Sequence, residues 1–360
     1  MAEPLKNLYS ELYIKRLCLA LNVVYPTFAA DNFTNTVFNA SWSQKELKER
    51  MRHIATTLQP FLTQDYSKNI DILQKIFLKM DYNYTLENML FQDFVEVYGM
   101  DNFETSMQAL EHFTINSSSE FAIRRFIVKY PSLTMKRMKL WATSDNEHIR
   151  RLATEGCRPH LPWAIALPSF KKNPSVVLEI LELLKDDISP YVRKSVANNI
   201  NDISKENPNV VIELTKQWIG KNKNRDALLK HGCRTLLKES NKEVLELFGF
   251  LRVKNLELKD FVVPKELKIG EELKFSFELN SPKSLGKLRV EFVMHFLRKN
   301  SKHNRKVFKL AEGVYKESSK KFTKSYSFRP ISTRVYYQGL QKISIVINGE
   351  EFTQREFALL

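Results

Sequence analysis

Cysteine is scarce: Cys18, Cys157 and Cys233 are the only three in 360 residues, far apart and without a CxxC spacing. That number and spacing suggest neither a disulfide framework nor a zinc site, and they fit a reducing, cytosolic setting. No apolar run approaches the roughly 20 residues that a membrane helix needs. The N-terminal stretch MAEPLKNLYSELY lacks the basic and apolar regions of a secretion signal, so a soluble intracellular protein with no membrane partner is expected. The seven histidines show no HExxH spacing, and neither a GxxxxGK[ST] loop nor a GxSxG elbow occurs. Metal, nucleotide and serine-hydrolase chemistries therefore have no support, and no cofactor or metal is expected.

What the chain has in quantity is apolar residues, 43% of the total, and positive charge, a formal +15. The length exceeds that of a usual single domain, so two domains are expected. The charge is uneven. Residues 1–115 carry 10 Lys and Arg against 14 Asp and Glu, residues 116–254 carry 25 against 15, and residues 255–360 carry 21 against 12. An excess confined to the middle and end of a chain suits a polyanionic partner, although charge alone suits solubility equally well.

From residue 8 to about 250, apolar residues recur at spacings of three and four, interrupted by Pro, Asn, Asp or Ser. That is the pattern of successive amphipathic helices. HIRRLATEG (148–156) resembles YVRKSVANN (191–199) at an offset of 43, and GCRPHL (156–161) resembles GCRTLL (232–237) at 76, close to two units of 38. Helix-pair repeats of about 40 to 47 residues mark HEAT-type α-solenoids, in which each pair buries its face only against its neighbours. Near residue 255 the period becomes two. Leu288, Val290, Phe292, Met294 and Phe296 alternate, as do Phe275, Phe277 and Leu279, and Ile343, Ile345 and Ile347. The last run meets Asn348-Gly349, a strong hairpin signal. The predicted fold is mainly α: a HEAT-like α-solenoid over 1–254, followed by an immunoglobulin-like β-sandwich over 255–360.

On a helical wheel, Ile149, Leu152, Ala153, Gly156 and Cys157 share one face, which must be the packed one. Arg151, Glu155 and Arg158 fall on its flank. In the next unit Val192, Val196, Asn199 and Ile200 lie inside, with Lys194, Asn198 and Asp202 on the flank. Glu120 and Arg124 form a further pair at i, i+4. Each unit thus offers a carboxylate among basic residues, an arrangement that on a solvated helix contributes only a few tenths of a kcal/mol. Acids facing a polyanion would weaken its binding unless the ligand carries a cationic feature. Trp163, in RPHLPWAIALP, allows two readings: an exposed stacking platform stiffened by its prolines, or a wedge between helices. Trp141 and Trp218 sit within helical periodicity and are expected in the core.

At LATEGCRPHLPWAIALP (152–168), VRKSVANNINDISKENP (192–208) and KHGCRTLLK (230–238), with a looser match at MAEPLKNLYSELYIKRL (1–17), the chain is similar to the AlkC branch of the bacterial DNA alkylation repair glycosylases. These are HEAT-like-repeat proteins that also include AlkD. The resemblance spans essentially the whole helical half. It implies excision of cationic alkylated bases, chiefly 3-methyladenine and 3-methylcytosine, from duplex DNA, by analogy without a deep base-flipping pocket. It also implies that Glu155 and Asp202, with Glu120 nearby, lie against the deoxyribose. There they would stabilise an oxocarbenium-like transition state, for a leaving group that needs no strong general acid. Trp163 would contact lesion or sugar, and Arg151, Arg158, Arg193, Lys194, His231 and Arg234 would hold phosphates. Some members carry a β-sandwich appendage.

RKNSKHNRK (298–306), between two strand-like runs, places Arg298, Lys302 and Arg305 in a loop, and a second loop, KESSKKFTKSY (316–326), adds further cations. These segments suit a clamp on the duplex, or simply a solvated hairpin tip. A two-domain clamp needs no second copy, so a monomer is expected. The competing reading is a non-catalytic HEAT scaffold that binds nucleic acid or an acidic protein through the same basic surface. A third is an RNA-binding solenoid.

Overall fold

A computed structural model describes residues 3–331 and 334–360. Two compact units divide at Met1–Asn207 and Pro208–Leu360. Helices occupy the chain from Leu5 to Leu247, and the first strand begins at Glu257. The residue types that interrupt the helical periodicity prove to be caps. Asn146 and Asn222 accept backbone N–H groups of the turns they open, and Pro131, Pro168 and Pro190 stand in the first turns of their helices. Asn does so because its side-chain oxygen satisfies an orphan donor, and Pro because it has no donor to orphan.

The self-similarity in the sequence corresponds to real repeats. Helices Pro131–Trp141 and Glu147–Glu155 form one pair, and Ser175–Leu184 and Pro190–Ile203 the next, with the second helices packed on one another. Arg150 and Arg193, equivalent at the offset of 43, do the same work. Arg150 Nη1 donates to the carbonyls of Ser144 and Asp145, both at 2.9 Å, and Arg193 Nη1 to those of Asp187 (2.6 Å) and Ile188 (2.9 Å). In each repeat an arginine ties down the turn before its own helix. Trp141 and Trp218 are buried, and no described helix is long and apolar enough to cross a membrane.

The strands are β1 (Glu257–Val262), β2 (Glu266–Leu267), β3 (Glu272–Asn280), β4 (Gly286–Leu297), β5 (His303–Tyr315), β6 (Ser319–Ser327), β7 (Gly339–Ile347) and β8 (Glu350–Leu359). They form a three-stranded sheet, β1-β3-β6, and a five-stranded sheet, β2-β8-β7-β4-β5. The alternating residues named above all lie in the shared core. KESSKKFTKSY, expected as a loop, is mostly strand β6. β7 and β8 are joined through Asn348 (φ 48°) and Gly349 (φ 82°), the left-handed pair that matches hairpin twist. A Cβ on Gly349 would stand 2.4 Å from Leu245 Cδ1, so only glycine permits this close approach to the last helix. Lys230 pairs with Glu312, and Arg252 with Glu350 at 2.8 Å. The last helices therefore belong to the same compact unit as the sandwich, although the change from helix to strand falls after them.

Candidate active site

The acids and arginines of the two inner helices are joined, not displayed. Glu155 is the last residue of helix Glu147–Glu155, Arg158 lies just beyond it, and Asp202 stands at the C-terminal end of helix Pro190–Ile203. Arg158 bridges the two acids, with Nη1 2.6 Å from Glu155 Oε1 and Nε 2.8 Å from Asp202 Oδ2. The second oxygen of Glu155 accepts the Ser195 hydroxyl at 2.5 Å, and Oδ1 of Asp202 accepts Lys205 Nζ at 2.9 Å. On the other side Arg151 Nη2 stands 3.5 Å from Glu155 Oε1, and the same guanidinium pairs with Glu120 and donates to Ser118 Oγ at 2.9 Å. The result is one chain of alternating charge: Glu120, Arg151, Glu155, Arg158, Asp202, Lys205.

This arrangement corrects several expectations. Glu155 (5% exposed) and Asp202 (1%) are buried, not on a solvated flank. A helical wheel assigns one packed face. An inner solenoid helix is flanked by the equivalent helix of the next repeat, so its flank is covered too. Arg158 is also buried, and its guanidinium is spent on the two acids, so holding phosphate is not its job. Arg151 is similarly engaged. Burial opposes their protonated forms, but Glu155 and Asp202 around Arg158, and Glu120 and Glu155 around Arg151, outweigh it and hold both guanidinium pKa values above the ordinary range. Glu120 is not the partner of Arg124. That residue is fully buried and donates to backbone carbonyls instead.

Trp163 is 64% exposed, which removes the wedge reading. Its backbone is left-handed (φ 63°), rare for a bulky residue. Its carbonyl accepts Lys48 Nζ at 2.8 Å. Of the other residues placed in a phosphate role, Arg193 has the turn-holding task described above, Lys194 is exposed, and Arg234 Nη1 donates to the carbonyl of His231 at 2.7 Å. Arg298 and Lys302 sit in the exposed β4–β5 hairpin, whose ends are tied by Arg298 N to Lys302 O at 2.9 Å; Arg305 lies on β5 and is exposed.

Sequence reasoning missed Ser195, Lys205 and Tyr191. Lys205 stands three residues after Asp202, a spacing that was visible. Ser195 offered no signal, because only the packing of two repeats brings it to Glu155. The Tyr191 ring lies 5.2 Å beneath the Arg151 guanidinium, a contact that also crosses from one repeat to the next. Cys157 lies in the core beneath the chain, its thiol pushed up to about 12 by burial, which makes it a packing residue and not a nucleophile.

Residues 90–236 match the family described as "DNA alkylation repair enzyme", and residues 257–360 match "Uncharacterised protein YhaZ, C-terminal Ig-like domain". The chain is 40% identical over 348 residues to the protein YhaZ of Bacillus subtilis (strain 168), covering 96% of each. Among solved structures it is similar to the Pseudomonas fluorescens alkylpurine DNA glycosylase AlkC bound to DNA containing an abasic site analog. The identity there is 31%, the TM-score 0.95, and the match covers 99% of this chain and 100% of that one.

Proposed function

Since the chain belongs to the AlkC family of DNA alkylation repair enzymes and is a DNA glycosylase, we propose that it excises N3-alkylated bases, 3-methyladenine and 3-methylcytosine, from duplex DNA. The observation that carries this reading is the set of three carboxylates, two of them almost wholly buried, in one charge-alternating chain. A base alkylated at N3 is already a cation and leaves as a neutral molecule, so nothing need protonate it. The positive charge moves to the deoxyribose, and fixed negative charge in a low-dielectric surrounding lowers the energy of that state.

Glu155 and Asp202 are locked by Arg158 and cannot reorganise, which suits electrostatic stabilisation. Each has lost hydration, and the guanidinium compensates. Of the two cations paired with Asp202 among the described residues, Lys205 is the more exposed, with 39% of its side chain in solvent. Its withdrawal frees Oδ1, and a cationic nucleoside then takes the place of a cationic side chain. Glu120, the most exposed of the three acids, orients the attacking water. The exposed indole of Trp163 supplies cation–π contact to the lesion at the surface, without a deep pocket. The direct test is release of free base from a duplex oligonucleotide carrying one 3-methylcytosine, and of 3-methyladenine from methylated genomic DNA. Release of neither base by folded protein would overturn the substrate assignment.

The exposed cations of the sandwich hold the backbone of the same duplex in this reading. Arg298→Ala, Lys302→Ala and Arg305→Ala together are expected to reduce the salt dependence of duplex binding. Loss of two or three phosphate contacts lowers the slope of log K against log salt by about 2 to 3. An unchanged slope would leave the hairpin a solvated tip.

A further inference from the structure

The segment between Glu155 and helix Pro168–Lys172 must hold a tryptophan in an unfavourable backbone conformation while leaving its indole in water. Packing cannot do this, because the side chain is not packed. A left-handed non-glycine residue persists only where its surroundings over-determine it. Two cations supply the anchors. From inside, Arg124, fully buried, donates through Nη1 to the carbonyls of Gly156 (2.9 Å) and Arg158 (2.8 Å) and through Nε to that of Ile165 (2.6 Å). These acceptors bracket the loop that carries Trp163. From outside, Lys48 Nζ donates to the carbonyl of Trp163 itself and sits 4.6 Å over the Phe121 ring.

Arg124 is a costly choice for this place. Among the described residues no carboxylate is in salt-bridge contact with its guanidinium and Nη2 has no hydrogen-bond partner; burial above all pulls its pKa down to about 10, against the more distant Asp202 and Glu120, which raise it. A buried charge with no carboxylate in direct contact would be better replaced by an apolar side chain if filling space were its purpose. What an apolar residue cannot do is collect three carbonyls from both ends of one loop, which a rigid guanidinium fork does.

We propose that Arg124, with Lys48 as the outer anchor, is a positioning residue of the glycosylase, and that its function is to hold the Trp163 loop in the conformation that meets the lesion. This rests on the assignment of Trp163 as the lesion contact. Arg124 touches neither DNA nor the reacting atoms; it acts through the loop.

The test combines a structural and a kinetic readout. Protein labelled with 5-fluorotryptophan, its Trp163 resonance assigned by Trp163→Phe, is compared with Arg124→Lys and with Lys48→Ala, an exposed substitution that leaves the core intact. Both variants are expected to shift or broaden the Trp163 resonance. Arg124→Lys is also expected to slow single-turnover base release by about tenfold or more, as small misplacements do, with binding to undamaged duplex unchanged. A Trp163 resonance that neither variant moves, or a wild-type rate in a folded Arg124→Lys variant, overturns the proposal. Trp163→Ala separates the two ideas. If it keeps the wild-type rate while the resonance still responds to Arg124, the lesion-contact assignment fails and the positioning of the loop stands. If Arg124→Lys does not fold, Lys48→Ala decides by the same resonance.

Discussion

Glu155→Gln is expected to slow single-turnover base release by at least about a hundredfold, the scale on which removal of one preorganised electrostatic group acts. The substitution keeps the shape and the acceptor for Arg158, and removes one negative charge where, in the proposed mechanism, positive charge develops in the transition state. The same change makes the surface less repulsive to phosphate, so affinity for a duplex with an abasic-site analogue should hold or rise. Rapid-quench measurement of base release, beside fluorescence-anisotropy binding, separates the two. A rate within a few fold of wild type would reduce Glu155 to an ion-pair partner of Arg151 and Arg158. Asp202→Asn should behave in the same direction, because the same guanidinium holds both acids.

The second large effect concerns stability. Arg158→Met is expected to destabilise the protein by about 3 to 5 kcal/mol, since it leaves two buried carboxylates without the charge they share. The deficit should be read from urea unfolding of the full chain. It should shrink when Glu155→Gln and Asp202→Asn are added, because the uncompensated charges are then gone, while activity stays absent. A loss below about 1 kcal/mol, the range of surface ion pairs, would show that the alternating chain is solvated in solution. The raised guanidinium pKa has a clear sign: a base whose folded pKa lies above its unfolded value contributes fully below the unfolded value. The Arg158 contribution therefore does not fall as pH rises through the neutral range, and it is lost only at strongly alkaline pH.

Arg150, Arg151 and Arg158 flank Glu155 in the sequence, but they do not share one role. The proposed chemistry on cationic bases needs negative charge close to a polyanion, and Arg151 and Arg158 offset that charge inside the fold. Arg150 serves a different end, because its fork closes on Asp187 at 2.6 and 3.0 Å and on the preceding turn. Arg151 and Arg158 belong to the acids. Three residues of one type within nine positions thus divide between holding a turn and pairing with the acids.

Local patterns carried much of this into the sequence. The periods of three to four and of two, with the helix caps between them, determined helical and strand segments by themselves, because each period places apolar residues on one side of one element. The offset of 43 determined the solenoid repeat, since stacked units must present equivalent surfaces. Asn348-Gly349 determined a hairpin through backbone sterics alone. What lay beyond the sequence depended on contacts between repeats. Only stacking decided that the flank bearing Glu155 and Asp202 is buried, that Ser195 and Lys205 complete their hydrogen bonds, and that Arg124 serves three carbonyls instead of Glu120. A wheel or a strand pattern describes one element against an unspecified inside. Long polar side chains choose partners by geometry across elements, and that geometry exists only once the helices are packed.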